Sequence, residues 1–286
     1  MTNIQLTTDS TCDISKELLE KHNIACLPLA VITNDEHLDQ VDLFPNDIFE
    51  YVKATKKLPK TAARSIYDFE EFFRPFVEEG KEIIHIGIGN DLSSCMRNAL
   101  LAAQNLGTNK IHIIDSATLS AGSSLLLLAA AELIEAGKTV DQIVETITER
   151  ANFLQTSFVV DTLEYLYRGG RCSALAMLGA NILKIKPKLQ VVDGKIQVAG
   201  KYMGKPVPVF KRYIDETLAK YPNPDKKRCF MPHSPTDPQV LNEVVEYVKS
   251  KNIFDEVIPT DAGATISSHC GPGTIGFIYI NDGDKR

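Results

Sequence analysis

Residues 160–173 read VDTLEYLYRGGRCS, with Arg168 and Arg171 bracketing a glycine pair directly after an apolar run. Two guanidiniums on a tight turn suit an anion, because each can present paired N–H donors to a carboxylate or phosphate. A helix terminus explains the same pattern more plainly, since glycine ends helices and a cation near the last carbonyls is favourable. Hydroxyls form the second chemistry-bearing group. Thr8, Ser10 and Thr11 follow the first apolar run, Ser93 and Ser94 follow KEIIHIGIG, and Ser116, Thr118 and Ser120 follow KIHIID. Most of these read as helix N-caps. Ser93 and Ser94 open SCMRNALLAA and are the strongest anion-site candidates, because unpaired backbone N–H groups accompany a helix start. A third group is SSHCGPGTIGFIYI, where His269 precedes Gly271, Pro272 and Gly273. A turn accounts for the glycines, but such a turn also lets backbone approach a ligand while the imidazole offers a hydrogen bond.

Known cofactor fingerprints do not cover these groups. IGIGND has Gly87 and Gly89 but no third glycine at the offset of a dinucleotide turn, and no P-loop pattern occurs. There is no G-x-S-x-G elbow, so an esterase or thioesterase with Ser93 as nucleophile and His269 as base rests on residue types alone. No metal site is expected, because the six histidines show no ligand spacing and the six cysteines form no C-x-x-C pair. His85 and His112 fall in strand-like runs and read as core histidines.

The elements that must position these residues alternate strand and helix patterns through the first half: NIQLTTDS, ISKELLEKHN, IACLPLAVI, DIFEYVKATKK, YDFEEFFRPFVEEG, KEIIHIGIG, SCMRNALLAAQNLG, KIHIIDS and SLLLLAAAELIEAG. Near-continuous apolar strands between helices predict an α/β fold with a doubly wound parallel sheet. Ligands of such sheets sit beyond the carboxyl ends of the strands, which is where the hydroxyls fall. After TVDQIVETITERANFLQ the grammar changes. LQVVDGKIQVAGK reads as a hairpin turning at Asp193-Gly194, and helices at PVFKRYIDETLAKY and DPQVLNEVVEYVKSKN alternate with KRCFMP and TIGFIYIN. This predicts two domains: an N-terminal α/β domain over residues 1–155 and a C-terminal α+β domain with a mixed sheet over 156–286.

Composition bounds the partners. The 286 residues are 44% hydrophobic, enough for a substantial core, and carry a net charge of −6 without clustered Lys and Arg, which argues against nucleic acid. SSLLLLAAAELIEAG meets Glu132 and Glu135 too soon to span a bilayer and reads as a buried helix. MTNIQLTTDST has neither a basic nor an apolar leader region, so a cytoplasmic location is expected.

TDSTCDIS, Lys60-Thr61, Leu92-Ser93, IIDSATLSAG, VDTLEYLYRGGR, LGANILKIKP, DGKI and HCGPGTIGF occur in the order seen in DegV proteins and extend over nearly the whole chain. The sequence resembles that family. The resemblance implies a lipid-binding protein without catalytic activity of its own or a cofactor, holding one long-chain fatty acid in a tunnel between its domains. It also implies a fatty acid kinase as partner, which phosphorylates the enclosed carboxylate to an acyl phosphate for phospholipid synthesis. Thr61 and Ser93 match the family's hydroxyls at the carboxylate, with Ser94 beside them; His269 matches its histidine and Arg171 the second arginine of R-G-G-R. Three positions depart from the family pattern. Ala62 stands where a serine is usual, Asn90 to Cys95 replace S-x-L-S-G-T, and Met203 in KYMGK occupies a position that is often basic.

Overall fold

The computed structural model describes residues 3–172 and 185–282. Residues 178–184 of the LGANILKIKP motif lie outside them. Four parallel strands form the first sheet: β1 (Ile4–Asp9), β2 (Ile24–Leu27), β6 (Glu82–Gly87) and β7 (Ile111–Asp115), in the order β2-β1-β6-β7. A small antiparallel sheet of β3 (Ala30–Ile32), β4 (Glu36–Leu38) and β5 (Lys60–Ala62) has β3 at its centre. IACLPLAVI is therefore two strands, not one. Pro28 follows β2, and a proline cannot donate to a continuing ladder, so the chain leaves the parallel sheet and β3 pairs elsewhere.

The remaining strands make a six-stranded mixed sheet: β8 (Leu154–Val159), β9 (Lys186–Val192), β10 (Lys195–Tyr202), β11 (Arg228–His233), β12 (Glu256–Asp261) and β13 (Ile275–Ile280), ordered β10-β9-β8-β13-β11-β12. Only β11 and β12 run parallel. The β9–β10 hairpin turns at Asp193 and Gly194, both at positive φ, as the Asp-Gly pair predicts. The fold is thus α/β with a parallel sheet and a separate mixed sheet.

Ten α-helices among the described residues pack these sheets: α1 (Lys16–Lys21), α2 (Pro45–Thr55), α3 (Ile66–Glu78), α4 (Cys95–Asn105), α5 (Ala121–Glu135), α6 (Val140–Ala151), α7 (Glu164–Gly169), α8 (Pro206–Lys220), α9 (Pro238–Ser250) and α10 (Ala264–Cys270). Strand alternation decides which helices cover which face. Ile83 packs toward Phe69 and Phe73 of α3, whereas Ile84 and Ile86 pack toward Leu125 and Leu128 of α5. That second face also receives Phe230, Ile278 and Ile280 of the six-stranded sheet. α5 is consequently sandwiched between two sheets, which explains a helix apolar around its whole circumference. On the far side of the six-stranded sheet, α8 and α9 bury Phe277 and Tyr279. No helix of the described residues is long and apolar enough to cross a membrane.

The placement of α10 matters most for function. It follows β12 of the six-stranded sheet, yet it packs against α2, β3, β5 and α7. The sequence pattern reads only a turn there, because seven residues are too few to show a helical period.

Candidate functional site

Beyond the carboxyl edge of the parallel sheet, the loops after β2, β6 and β7 contribute Leu29, then Ile88, Leu92 and Ser93, then Leu119 to one cavity. β5 closes it with Thr61 and Ala62, followed by Ala63, and α10 with Thr265, Ile266, His269 and Cys270. Leu166, Arg171 and Ile196 complete the wall. The cavity holds about 540 Å³ of space, counting its open mouth. The strand order reverses direction between β1 and β6, and open parallel sheets take their ligands beyond the carboxyl edge at such a point.

Its polar end is built from three chain segments. The Thr61 hydroxyl and His269 Nε2 are 2.8 Å apart. Thr61 is held by β5, paired with Val31 of the central strand β3. His269 sits in the last turn of α10. Burial, reinforced by the charge of Arg171, pushes the imidazole down to about 4, so the ring is neutral at neutral pH. Its Nδ1 is buried and has no hydrogen-bond partner among the described residues. The R-G-G-R turn is what covers that nitrogen: a Cβ at Gly169 would sit 2.3 Å from it, so only glycine fits. Gly170 then ends α7 in the left-handed conformation at φ 72°, which its lack of Cβ permits. The glycine pair therefore serves both readings, a helix cap and a close approach to the site.

The two arginines divide accordingly. Arg168 is exposed and pairs with Glu164 one turn earlier on α7 at 2.9 Å. Arg171 lines the cavity and donates from Nη1 to the Gly169 carbonyl at 2.8 Å. Ser93 lines it too, its Oγ accepting from the Cys95 N–H at 3.3 Å. Ser94 is not brought to the cavity wall. It is exposed and precedes α4 in a helical conformation, without a side-chain cap bond. Ser93 and His269 do share a cavity, but the bond at Nε2 is to Thr61 and Nδ1 has none among the described residues, so Ser93 and His269 are not hydrogen-bonded. This disfavours the esterase reading. Among the described residues no group of three His, Cys, Asp or Glu side chains could hold a metal ion.

Inward, the walls become apolar. A second, small cavity shares Leu119, Ile266 and Cys270 with the first and is lined also by Phe158 of β8, Pro232 of β11 and Gly276 and Ile278 of β13. The second cavity adjoins the first and lies between the parallel and mixed sheets. Thr265, Ile266, Leu119 and Phe158 escaped the sequence reading; only Thr265 carried a signal, lying one helical turn before His269.

The departures from the family pattern now have places. Asp91 faces away from the cavity toward the hairpin tip, with its carboxylate 3.6 Å from Lys195 Nζ. Ala62 lines the cavity beside Thr61. Met203 follows β10 and is 72% exposed, outside the cavity wall.

Comparison with known proteins agrees across the length of the chain. The family model described as "Uncharacterised protein, DegV family" matches residues 3–282. A DegV domain-containing protein of Clostridium perfringens is 30% identical over 292 residues, covering 99% of this chain and 100% of that protein. A protein of Thermotoga maritima named a fatty acid-binding protein is 26% identical over 280 residues, covering 96% of each. A solved structure described as fatty acid binding of a DegV family protein from Thermus thermophilus superposes with a TM-score of 0.90 at 28% identity, covering 97% of this chain and 99% of that one. The chain belongs to the DegV family.

Proposed function

We propose that the protein binds one long-chain fatty acid and presents its carboxylate to a fatty acid kinase. The observation that carries this reading is the Thr61–His269 pair in a cavity that adjoins a second one whose exposed surface is apolar. The ligand lies between an N-terminal unit of residues 1–155 and a C-terminal unit of residues 156–286. Relatives described as fatty-acid-binding proteins support the ligand class.

The energetics divide between tail and head. Burying ~14 methylenes at ~0.8 kcal/mol each contributes on the order of 11 kcal/mol before association costs, so the tail sets affinity. Enclosing a carboxylate costs several kcal/mol unless donors meet it. For Thr61 to donate its hydroxyl proton to the ligand, its oxygen must accept from His269, which requires the neutral imidazole to carry its proton on Nε2. Ser93 supplies a second hydroxyl and Arg171 the cation. The chain thus supplies binding and register, and the phosphoryl transfer belongs to the kinase.

Denaturing the purified protein and identifying the released lipid by mass spectrometry tests the ligand: a stoichiometric fatty acid is expected. Absence of lipid together with no uptake of added acid would refute it. Incubating the loaded protein with a fatty acid kinase and ATP tests the partnership, with acyl phosphate as the expected product. Arg171→Ala should lower phosphorylation more than binding.

A further inference from the structure

We infer that Asp13 and Asp39 are positioning residues of the carboxylate site, buried acids that clamp the first turn of α10 and so aim His269 at Thr61. α10 is short, and its N-cap residue is Gly263, which has no side chain to cap the turn. Two acids from the other end of the chain replace the missing cap. Asp13 Oδ1 accepts from the Gly263 N–H at 2.8 Å, and Asp39 Oδ1 accepts from the Ala264 N–H at 2.7 Å. The Thr260 hydroxyl adds a bond to the Asp13 carbonyl at 2.5 Å. The second oxygens are also held: Ser120 donates to Asp13, and Ser10 donates to Asp39 at 2.8 Å while accepting from the Leu29 N–H at 3.0 Å.

These acids are expensive. Both are about 1% exposed, and among the described residues no cation is ion-paired with either. Burial pushes both carboxyls up from the ordinary range, Asp13 the further of the two, and Asp13 is also repelled by Asp39 and by the buried Asp9. Buried unpaired charge costs stability that a neutral group of the same shape avoids. What the two acids do locally is tie α10 to the loops after β1 and β4, at the opposite end of the helix from His269. A seven-residue helix is rigid, so a tilt at its first turn displaces its last. Loss of the clamp therefore costs the Thr61–His269 geometry before it costs the apolar tunnel.

This inference rests on the fatty-acid reading, and its test separates the two. Affinities for a long-chain fatty acid and for the alcohol of the same chain length are measured on each variant, and their ratio reads head-group recognition alone. A purely structural defect weakens both ligands together. Asp39→Ala is expected to lower the acid-to-alcohol ratio by about tenfold, the loss of a charge-assisted contact, and to shift the His269 imidazole ¹⁵N signals. Asp39→Asn keeps an oxygen for the Ala264 N–H and offers its amide to Ser10, so it should retain the ratio to within about threefold. If Asp39→Ala is too unstable to measure, Ser10→Ala removes one support of Asp39 and should move ratio and signals in the same direction by less. A folded Asp39→Ala with the original ratio and unshifted His269 signals overturns the inference, as does an Asp39→Asn as defective as the alanine variant. Wild-type protein that binds neither ligand refutes the fatty-acid reading, and the inference with it.

Discussion

Gly169 and His269 share a contact that admits no side chain, and this makes the glycine as specific a part of the site as the histidine. Gly169→Ala would put a methyl 2.3 Å from Nδ1, so the ring must turn and leave Thr61. The expected result is acid binding weakened by about tenfold with thermal stability nearly unchanged, because α7 gains a better helix former. Paired calorimetric titration and thermal unfolding check it. His269 also makes a pH prediction. The folded chain keeps it neutral down to about 4, from an ordinary value of 6.5. The unfolded chain therefore takes up a proton first as pH falls, and the stability this neutrality represents is whole above about pH 6.5 and is lost toward pH 4. His85, buried against Phe69 and Phe73 and held at about 3, adds a loss of the same sign. Asp9, Asp13 and Asp39 act oppositely: their carboxyls are raised, so their cost is present at neutral pH and is relieved on acidification. His269→Gln should flatten the acid-side decline between pH 6.5 and 4 by at most roughly 3 kcal/mol, read from urea unfolding at several pH values. An unchanged slope would show that the ring is not held neutral.

At the scale of elements, the β9–β10 hairpin does more than complete a sheet. Its Ile196 lines the cavity, its tip glycine, Gly194, lies against Asp91, and Lys195 pairs with Asp91, tying the hairpin to the loop after β6 that carries Leu92 and Ser93 of the cavity wall. Both charged groups are well exposed, so the pair is worth at most about 1 kcal/mol. Lys195→Gln should then speed ligand release by no more than about fivefold at low salt and have no effect at high salt, where the pair is screened. Stopped-flow displacement of a fluorescent fatty acid measures both conditions. A salt-independent change would assign the effect to packing instead. The same scale shows where reading the sequence succeeds. The Asp193-Gly194 turn is legible because a turn type demands particular residues at fixed offsets. Ser94 misleads for the complementary reason: its residue type suits a cap, but the backbone turns it outward and Ser93 takes the local bond.

For the whole molecule, the decisive feature is that two neighbouring cavities share Leu119, Ile266 and Cys270 and that the second lies between the sheets. Ile266 stands at their junction. Ile266→Phe should obstruct the passage, weakening a long-chain acid more than a medium-chain acid, since only the longer tail must enter the second cavity. Each methylene excluded costs about 0.8 kcal/mol, or roughly fourfold in affinity. A chain-length series of dissociation constants checks this, and equal losses at every length would place the tail elsewhere.

By itself, the sequence determined the parallel α/β half, the hairpin and mixed half, and the family, because strand hydrophobicity, Asp-Gly turns and ordered motifs are local properties of the chain. It also named Thr61, Ser93, Arg171 and His269 through motif resemblance. Only the tertiary structure decided that Thr61 and His269, 208 residues apart, are in hydrogen-bond contact. Nor does any local pattern announce that α10 crosses from one sheet's chain to the other half's packing, or that Asp13 and Asp39 take the place of its missing cap. Those relations depend on which surfaces meet after the sheets assemble, and a seven-residue helix held by distant acids carries no period of its own to reveal them.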